Sequence, residues 1–518
     1  MSLAASDAAD ALPHEEPEGA RSSYRQILKS TAVIGGSTMI NVLFAIVRSK
    51  AIALLLGPSG VGLFGLFNSV VDLAQTIAGL GVSASGVRQI ARAAADDDAA
   101  HIARTATALR RLSLILGALG ALALISLSLP VARLTFGNED NHTAIALLSA
   151  AVFFQLVSSG QCALLQGLRR IGDIARFNVL SAGASTVVTV PMVYFFGTEG
   201  IVFSIVTIAA VSIGASWWYV RKLKIAPAPM PARAFARETA EMLRLGFAFM
   251  ASAVFTVGSA YVIRIILLRE TGAEGTGLYQ AAWALGGLYA GFILQAMGTD
   301  FYPKLSAVAD RDEDVNRLVN EQTEVSILLA GPGVLATLTL APLVIYVFYS
   351  AAFAPAIDVL RWLSLGIMLR ILSWPIGFVV IAKGAQRAFF WIEAAATLVN
   401  VGLAWLLVPV VGVSGAGLAF FGLYVWHTLI VYAVVRRMTG FRWSPVNFRS
   451  GSAFMIAAAI VFALFATLPF WTATAAGATI TAVSCALVAK RLLTLLPAAH
   501  LPAVVRPWHG RLARLLRA

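Results

Sequence analysis

Charge is scarce in this sequence. Asp, Glu, Lys and Arg make up only 13% of its 518 residues and 59% are hydrophobic, against about 25% charged in an ordinary soluble domain. With a mean hydropathy of +0.81, a water-soluble fold is excluded. Cysteine is nearly absent. Cys162 and Cys485 both lie in apolar runs, so neither a disulfide framework nor a thiolate zinc site can be assembled. The histidines, His14, His101, His142, His427, His500 and His509, are scattered and form no HExxH pair, and neither a Walker A loop nor a GxSxG elbow occurs. No enzyme, metal or cofactor is implied. Residues 1 to 20 are rich in Ala, Pro and acid and lack the basic start and short apolar core of a secretory signal.

Long apolar runs fill the rest. Crossing a hydrocarbon core takes about 17 to 25 residues, and the hydropathy pattern predicts about fourteen such helices, at 27–55, 61–87, 112–130, 142–166, 177–196, 200–220, 242–268, 277–302, 323–348, 357–381, 388–411, 415–435, 451–469 and 472–489. Lys and Arg in short loops resist translocation. With the N-terminus inside, every one of the 39 Lys and Arg falls in a cytoplasmic segment except Arg48, Lys50, Arg133, Arg264, Arg269, Arg361 and Arg370. Both termini are therefore expected in the cytoplasm, and the bias accounts for the +13 net charge without a nucleic-acid partner.

An internal repeat organises these helices. Gly57 to Phe64 (GPSGVGLF) returns as Gly272 to Tyr279 (GAEGTGLY), an offset of 215. Gln166-Gly167 with Arg170 returns as Lys383-Gly384 with Arg387, and Glu199 to Phe203 returns as Ala416 to Phe420, both at 217. Each unit holds six helices, an even number, so the copies share an orientation about an axis along the membrane normal. The expected fold is an all-α polytopic membrane protein of two pseudo-symmetric six-helix lobes plus an extra helix pair. Its parts are a disordered cytoplasmic tail 1–25, lobes 26–222 and 241–437 joined by a cytoplasmic linker 223–240, an extra pair 451–489, and a basic amphipathic tail 490–518 ending in RPWHGRLARLLRA. Paired lobes around a cavity suit an alternating-access carrier.

Of the basic residues off the cytoplasmic side, Arg133 and Arg269 flank external loops. The other five lie inside predicted spans, where each costs roughly 2.5 to 3.5 kcal/mol at the bilayer centre. Ser37, Asn41 and Arg48 share one face of the first helix, and Asn68, Asp72 and Gln75 share one face of the second, which predicts a polar cavity wall. Arg264 matches Arg48 at an offset of 216, so the lobes are expected to present equivalent guanidinium groups. Competing readings exist. Arg48, Lys50 and Arg264 are near helix ends, where long basic side chains snorkel to headgroups; Arg361 is three residues from Asp358, an ion-pair spacing; Glu393 and Asp300 sit near cytoplasmic ends. Arg370 is mid-span. Asp72, also mid-span, is the candidate for ion or proton coupling, set against a hydrogen-bonded structural role. Trp217, Trp218, Trp374, Trp391 and Trp471 read as interfacial belts.

The run from Arg48 to Arg88, with its GPxGVG turn, together with the QGLRRIGD turn at Gln166 to Asp173, resembles the Wzx-type O-antigen and enterobacterial common-antigen translocases of the multidrug/oligosaccharidyl-lipid/polysaccharide exporter superfamily. The likeness extends to about residue 440; common members have twelve helices, so the pair 451–489 is a departure. The resemblance implies a bacterial inner-membrane flippase moving undecaprenyl pyrophosphate-linked oligosaccharide from the cytoplasmic to the periplasmic leaflet through a cationic cavity. Arg48, Lys50, Arg264, Arg370 and Arg361 are then the expected pyrophosphate ligands, and membrane lipid and other glycan-assembly proteins the further candidate partners. A lipid II flippase and a cation-coupled multidrug exporter are same-fold alternatives, the latter expected to have a more acidic cavity. A membrane glycan polymerase or ligase is a more distant one, which would call for paired acids or a large soluble loop.

Overall fold

The computed structural model describes residues 18–96, 98–226, 228–296 and 301–495, so the expected tail 506–518, Asp300 and residues 1–17 lie outside the described part. The described residues form helices throughout: α1 (Glu18–Ala78), α2 (Val82–Ala95), α3 (Ala99–Ser126), α4 (Ser128–Phe136), α5 (His142–Gly167), α6 (Ile171–Phe196), α7 (Glu199–Arg221), α8 (Ala232–Ala296), α9 (Tyr302–Ala307), α10 (Asp312–Phe348), α11 (Ala356–Ala382), α12 (Gln386–Val411), α13 (Ser414–Thr439), α14 (Pro445–Thr467) and α15 (Phe470–Leu495). With no water in the membrane to satisfy a bare peptide, apolar runs of this length close their hydrogen bonds internally. α1 begins at Glu18, within the segment expected as a tail.

Among the described residues twelve helices are long and apolar enough to span a membrane, and two of these, Gly36–Ala78 and Ala232–Leu288, are double. α1 breaks at Gly57 (φ 64°, ψ −166°) and α8 at Gly272 (φ 73°, ψ −175°), a backbone region open to glycine almost alone. Each therefore crosses twice, which reconciles twelve helices with fourteen expected crossings. Pro58 begins the second half of α1, where its missing N–H costs nothing.

Three short elements escaped the hydropathy pattern. The second predicted span ran to residue 87, but the helix ends at Ala78. Leu80 (φ 46°) and Gly81 (φ 65°) turn the chain into the separate helix α2, whose single face Val82, Ser85, Gln89, Ile90 and Ala93 is buried. α4 and α9 are too short to span. At the start of α3, the Asp98 carboxylate accepts from the His101 amide at 2.9 Å, a cap that holds its pKa below the ordinary value.

The two lobes repeat their helix pairings: α5 packs on α3 and α7 as α11 packs on α10 and α13, and α1 packs on α6 as α8 packs on α12. Left-handed backbone recurs at Gly57 and Gly272, Arg169 and Gly384, and Gly197 and Gly412. The register is thus 215 throughout, which corrects the 217 read for the second and third motif pairs. Close packing agrees. A methyl on Gly200 would lie 2.2 Å from the Met192 carbonyl oxygen, and one on Gly415 would lie 2.5 Å from that of Leu407, the same contact one repeat later. α11 is the most buried span, 61% of its most apolar window against 11% for α12, and so forms the core of the second lobe. The extra pair α14 and α15 packs on α10, with the Phe454 ring filling the space over Gly331 and Arg491 bonded to Glu324 at 2.8 Å.

Candidate functional site

The two broken helices cross each other. A methyl on Gly62 would lie 2.2 Å from the carbonyl oxygen of Ala273, and one on Gly277 would lie 1.8 Å from that of Pro58. These two glycines are counterparts at the 215 register, and counterparts can touch only at the axis relating the lobes. A second close approach lies at the other end of the helices, where a methyl on Gly81 would meet the Gly246 carbonyl oxygen at 2.0 Å and one on Gly246 would meet that of Leu80 at 2.3 Å. Beside the second approach a cavity of about 530 Å³ opens between α1, α2, α3, α5 and α8, and its polar wall includes Asp72, Gln75, Thr76, Ser83, Ser159 and Gln166.

Arg264 is 7% exposed. Its Nε and Nη2 donate to Gln280 Oε1 at 3.1 and 2.8 Å, and its Nη1 donates to the Ala260 carbonyl at 2.9 Å. Gln280 in turn presses on Gly65, where a methyl would come 2.9 Å from its side chain. Asp72 on the cavity wall is the acid whose charge Arg264 senses, without an ion-pair contact. Arg48 sits on the neighbouring residue of α1: its guanidinium lies 5.7 Å from the Phe64 ring centroid, its Nη1 donates to Ser185 Oγ on α6, and its Nε is buried without a hydrogen-bond partner. The expected equivalence of Arg48 and Arg264 does not hold. At the true register Arg264 matches Ser49, and one residue turns a helix by about 100°, so one arginine faces α6 and the other the second half of its own helix.

Arg370 on α11 lies 5.3 Å from the Trp374 ring and 5.8 Å from the Tyr424 ring, and its Nε is also buried without a partner. Glu393 and His427 lie within reach of its charge, and His427 Nδ1 meets Ser373 Oγ at 3.2 Å. The remaining expected residues are held elsewhere. Lys50 donates to the Tyr346 carbonyl at 2.9 Å and caps that ring at 5.8 Å. Arg361 pairs with Asp358 at 3.4 Å and stacks 3.9 Å from the Phe465 ring of α14. Asn68 donates back to the Phe64 carbonyl at 2.7 Å. Ser37 is buried, and Asn41 keeps a buried Oδ1 without a hydrogen bond.

The structure thus joins Asp72 and Gln75 on one cavity wall, which none of Arg48, Lys50, Arg264, Arg361 and Arg370 lines, and places Arg370 in the second lobe. Gln280, Ser185, Glu393 and His427 were missed as partners. Gln280 follows Arg264 across the helix break, where helical periodicity carries no information. The 54-residue spacing of Ser373 and His427 does recur as Ser158 and the Ser212 carbonyl, so the repeat was the available signal.

Two broken helices meeting at a pseudo-twofold axis, with charged groups inside membrane-spanning segments, define a two-lobed multi-pass membrane protein. Residues 27–309, more than half of the chain, match the family described as polysaccharide biosynthesis protein, and the chain belongs to that family. It is 22% identical over 406 residues to the lipid III flippase of Escherichia coli (strain K12), covering 77% of this chain and 95% of that protein. The lipid III flippase of Shigella flexneri matches equally. Among solved structures, the lipid II flippase MurJ in an inward closed conformation aligns with a TM-score of 0.67 at 11% identity over 90% of this chain and 100% of that one. An inward-facing MATE family multidrug transporter of the MOP superfamily aligns with a TM-score of 0.66 at 18% identity, over 79% and 98%. The chain shares the fold of both structures.

Proposed function

We propose that the protein is a flippase carrying undecaprenyl pyrophosphate-linked oligosaccharide, an O-antigen, common-antigen or exopolysaccharide repeat unit, from the cytoplasmic to the periplasmic leaflet of the bacterial inner membrane. Both termini are cytoplasmic in this reading, and the lobes 26–222 and 241–437 alternate access around the axis at Gly62 and Gly277. The carrying observation is that Arg48, Arg264 and Arg370 lie inside membrane-spanning helices with no carboxylate in ion-pair contact among the described residues, unlike Arg361 with Asp358. A pyrophosphate supplies the absent negative charge and accepts from the free Nε groups of Arg48 and Arg370, through charge-assisted bonds suited to guanidinium. The sugar takes the aqueous cavity and the polyprenyl tail stays in lipid. Similarity to proteins named lipid III flippase supports this substrate class. A drug exporter for cations is the second reading, favoured by Asp72, the one charged residue among those lining the cavity.

Purified protein in nanodiscs tests the reading. It should bind undecaprenyl pyrophosphate glycan more tightly than the matching neutral glycan, with a difference that shrinks as salt rises. Tight binding of an organic cation with no preference for the pyrophosphate lipid would sink the assignment.

A further inference from the structure

A second cavity lies away from the lobe interface, where α3, α5 and α7 meet the linker after Arg221. It measures about 390 Å³ and carries Arg110, Arg111, Arg221 and Lys224 on its wall, above an apolar floor that includes Leu109, Val157 and Leu164. None of these four cations pairs with a carboxylate among the described residues. Several other basic residues at loop ends do: Arg92 with Glu241, Arg104 with Asp98, Arg170 and Arg176 with Asp173, and Arg317 with Asp314. Four like charges converging on one recess repel one another, and the recess focuses their field on whatever enters it.

A basic fringe at helix ends is common in membrane proteins, so the charges alone identify nothing. Three features go further. Lys224 holds φ at 52°, a left-handed conformation costly for a long side chain, and this turn places it on the cavity wall. The linker is then strapped to α3: the Ala228 amide donates to Thr107 Oγ1 at 3.1 Å, and Arg111 Nη1 donates to the Met230 carbonyl at 3.2 Å. The rim is apolar and exposed. Leu114 is 40% and Trp217 45% exposed, and Trp217 lies beneath the Arg221 guanidinium at 5.3 Å, the placement of an aromatic at headgroup level. Charged mouth and apolar floor match a phosphate with an acyl chain attached.

We propose that this cavity binds an anionic phospholipid of the adjacent leaflet, its phosphodiester held by Arg110, Arg111, Arg221 and Lys224 and one acyl chain lying on the apolar floor. Basic pockets between membrane helices take such headgroups. The bound lipid sets its negative charge among the four cations, which lessens their mutual repulsion, and fastens the linker against α3, so it stiffens the connection between the lobes.

Native mass spectrometry of the full-length protein, released from vesicles of mixed phosphatidylglycerol and phosphatidylcholine, tests this. The protein should retain phosphatidylglycerol in preference to phosphatidylcholine. R110Q, R221Q and K224Q should each weaken retention about tenfold, as for loss of a hydrogen bond to a charged group, and the triple variant should abolish the preference. R221K should keep most of it. Inorganic phosphate should not displace the lipid, because it lacks the chain. Displacement by phosphate would assign the cavity to a free anion, and equal retention by wild type and the three single variants would overturn the site. Melting temperature in detergent reports folding of the triple variant; if it fails to fold, the single variants decide.

Discussion

At the scale of single residues, the proposed site separates arginines by what already satisfies them. Arg48 and Arg370 each keep a buried donor unpaired, and Arg264 spends its donors on Gln280 and a carbonyl. Arg48→Ala and Arg370→Ala should each lower affinity for the pyrophosphate lipid by about ten- to a hundredfold, equivalent to roughly 1.5 to 3 kcal/mol, and Arg264→Ala by less. Each should also suppress surface glycan in a strain that lacks its own flippase, with the variant still present in the membrane. Lys50→Ala and Arg361→Ala should leave display near normal, since these side chains are held by Tyr346, Asp358 and Phe465. Full loss of display in Lys50→Ala would return that lysine to the translocation path. Asp72→Asn should impair transport more than Asp72→Glu if the carboxylate exchanges a proton or cation, and wild-type activity of Asp72→Asn would favour a hydrogen-bonded structural role. The pairing of Arg361 was legible because its partner is one helical turn away. That of Lys50 was not, because its partner stands on another helix 296 positions later, and no local pattern reports such a contact.

At the scale of helices, the apolar runs were readable because a spanning helix must be apolar for nearly its whole length. Their breaks were readable only in part. Gly57-Pro58 announces itself, but Leu80 and Arg169 adopt positive φ with nothing in their side chains to mark it. The repeat was visible as similar words, whereas its register depended on backbone turns; a slip of two residues left the words alike and moved every side chain around its helix. The amphipathic α2 and the short α4 and α9 carry no spanning run at all. Gly57→Ala and Gly272→Ala should each destabilise the protein by about 1 to 3 kcal/mol, the cost of forcing a Cβ into that backbone region. Both sites have open space around them, so the effect should appear as a lowered melting temperature without a steric clash; an unchanged melting temperature would mean the break can re-form with other dihedrals.

At the scale of the whole molecule, the proposed orientation places both inter-lobe linker and C-terminal lobe end on the cytoplasmic side. Reporter fusions after Arg237 and Arg437 should both give cytoplasmic activity, and a periplasmic signal at either would break the arrangement of two six-helix units. The two lobes meet where glycine lets backbones touch, near Gly62 and Gly277 and again near Gly81 and Gly246. Along α1 these levels stand roughly 28 Å apart at 1.5 Å per residue, which makes the crossing helices a long lever with a choice of fulcrum. A tilt of about 10° around one level parts the other by about 5 Å, the rise of a single helical turn. Small rotations are thus geared into wide mouths. If the lobes rock as proposed, a single bulky side chain at one level should act as a wedge that props that mouth open and leaves the opposite one shut.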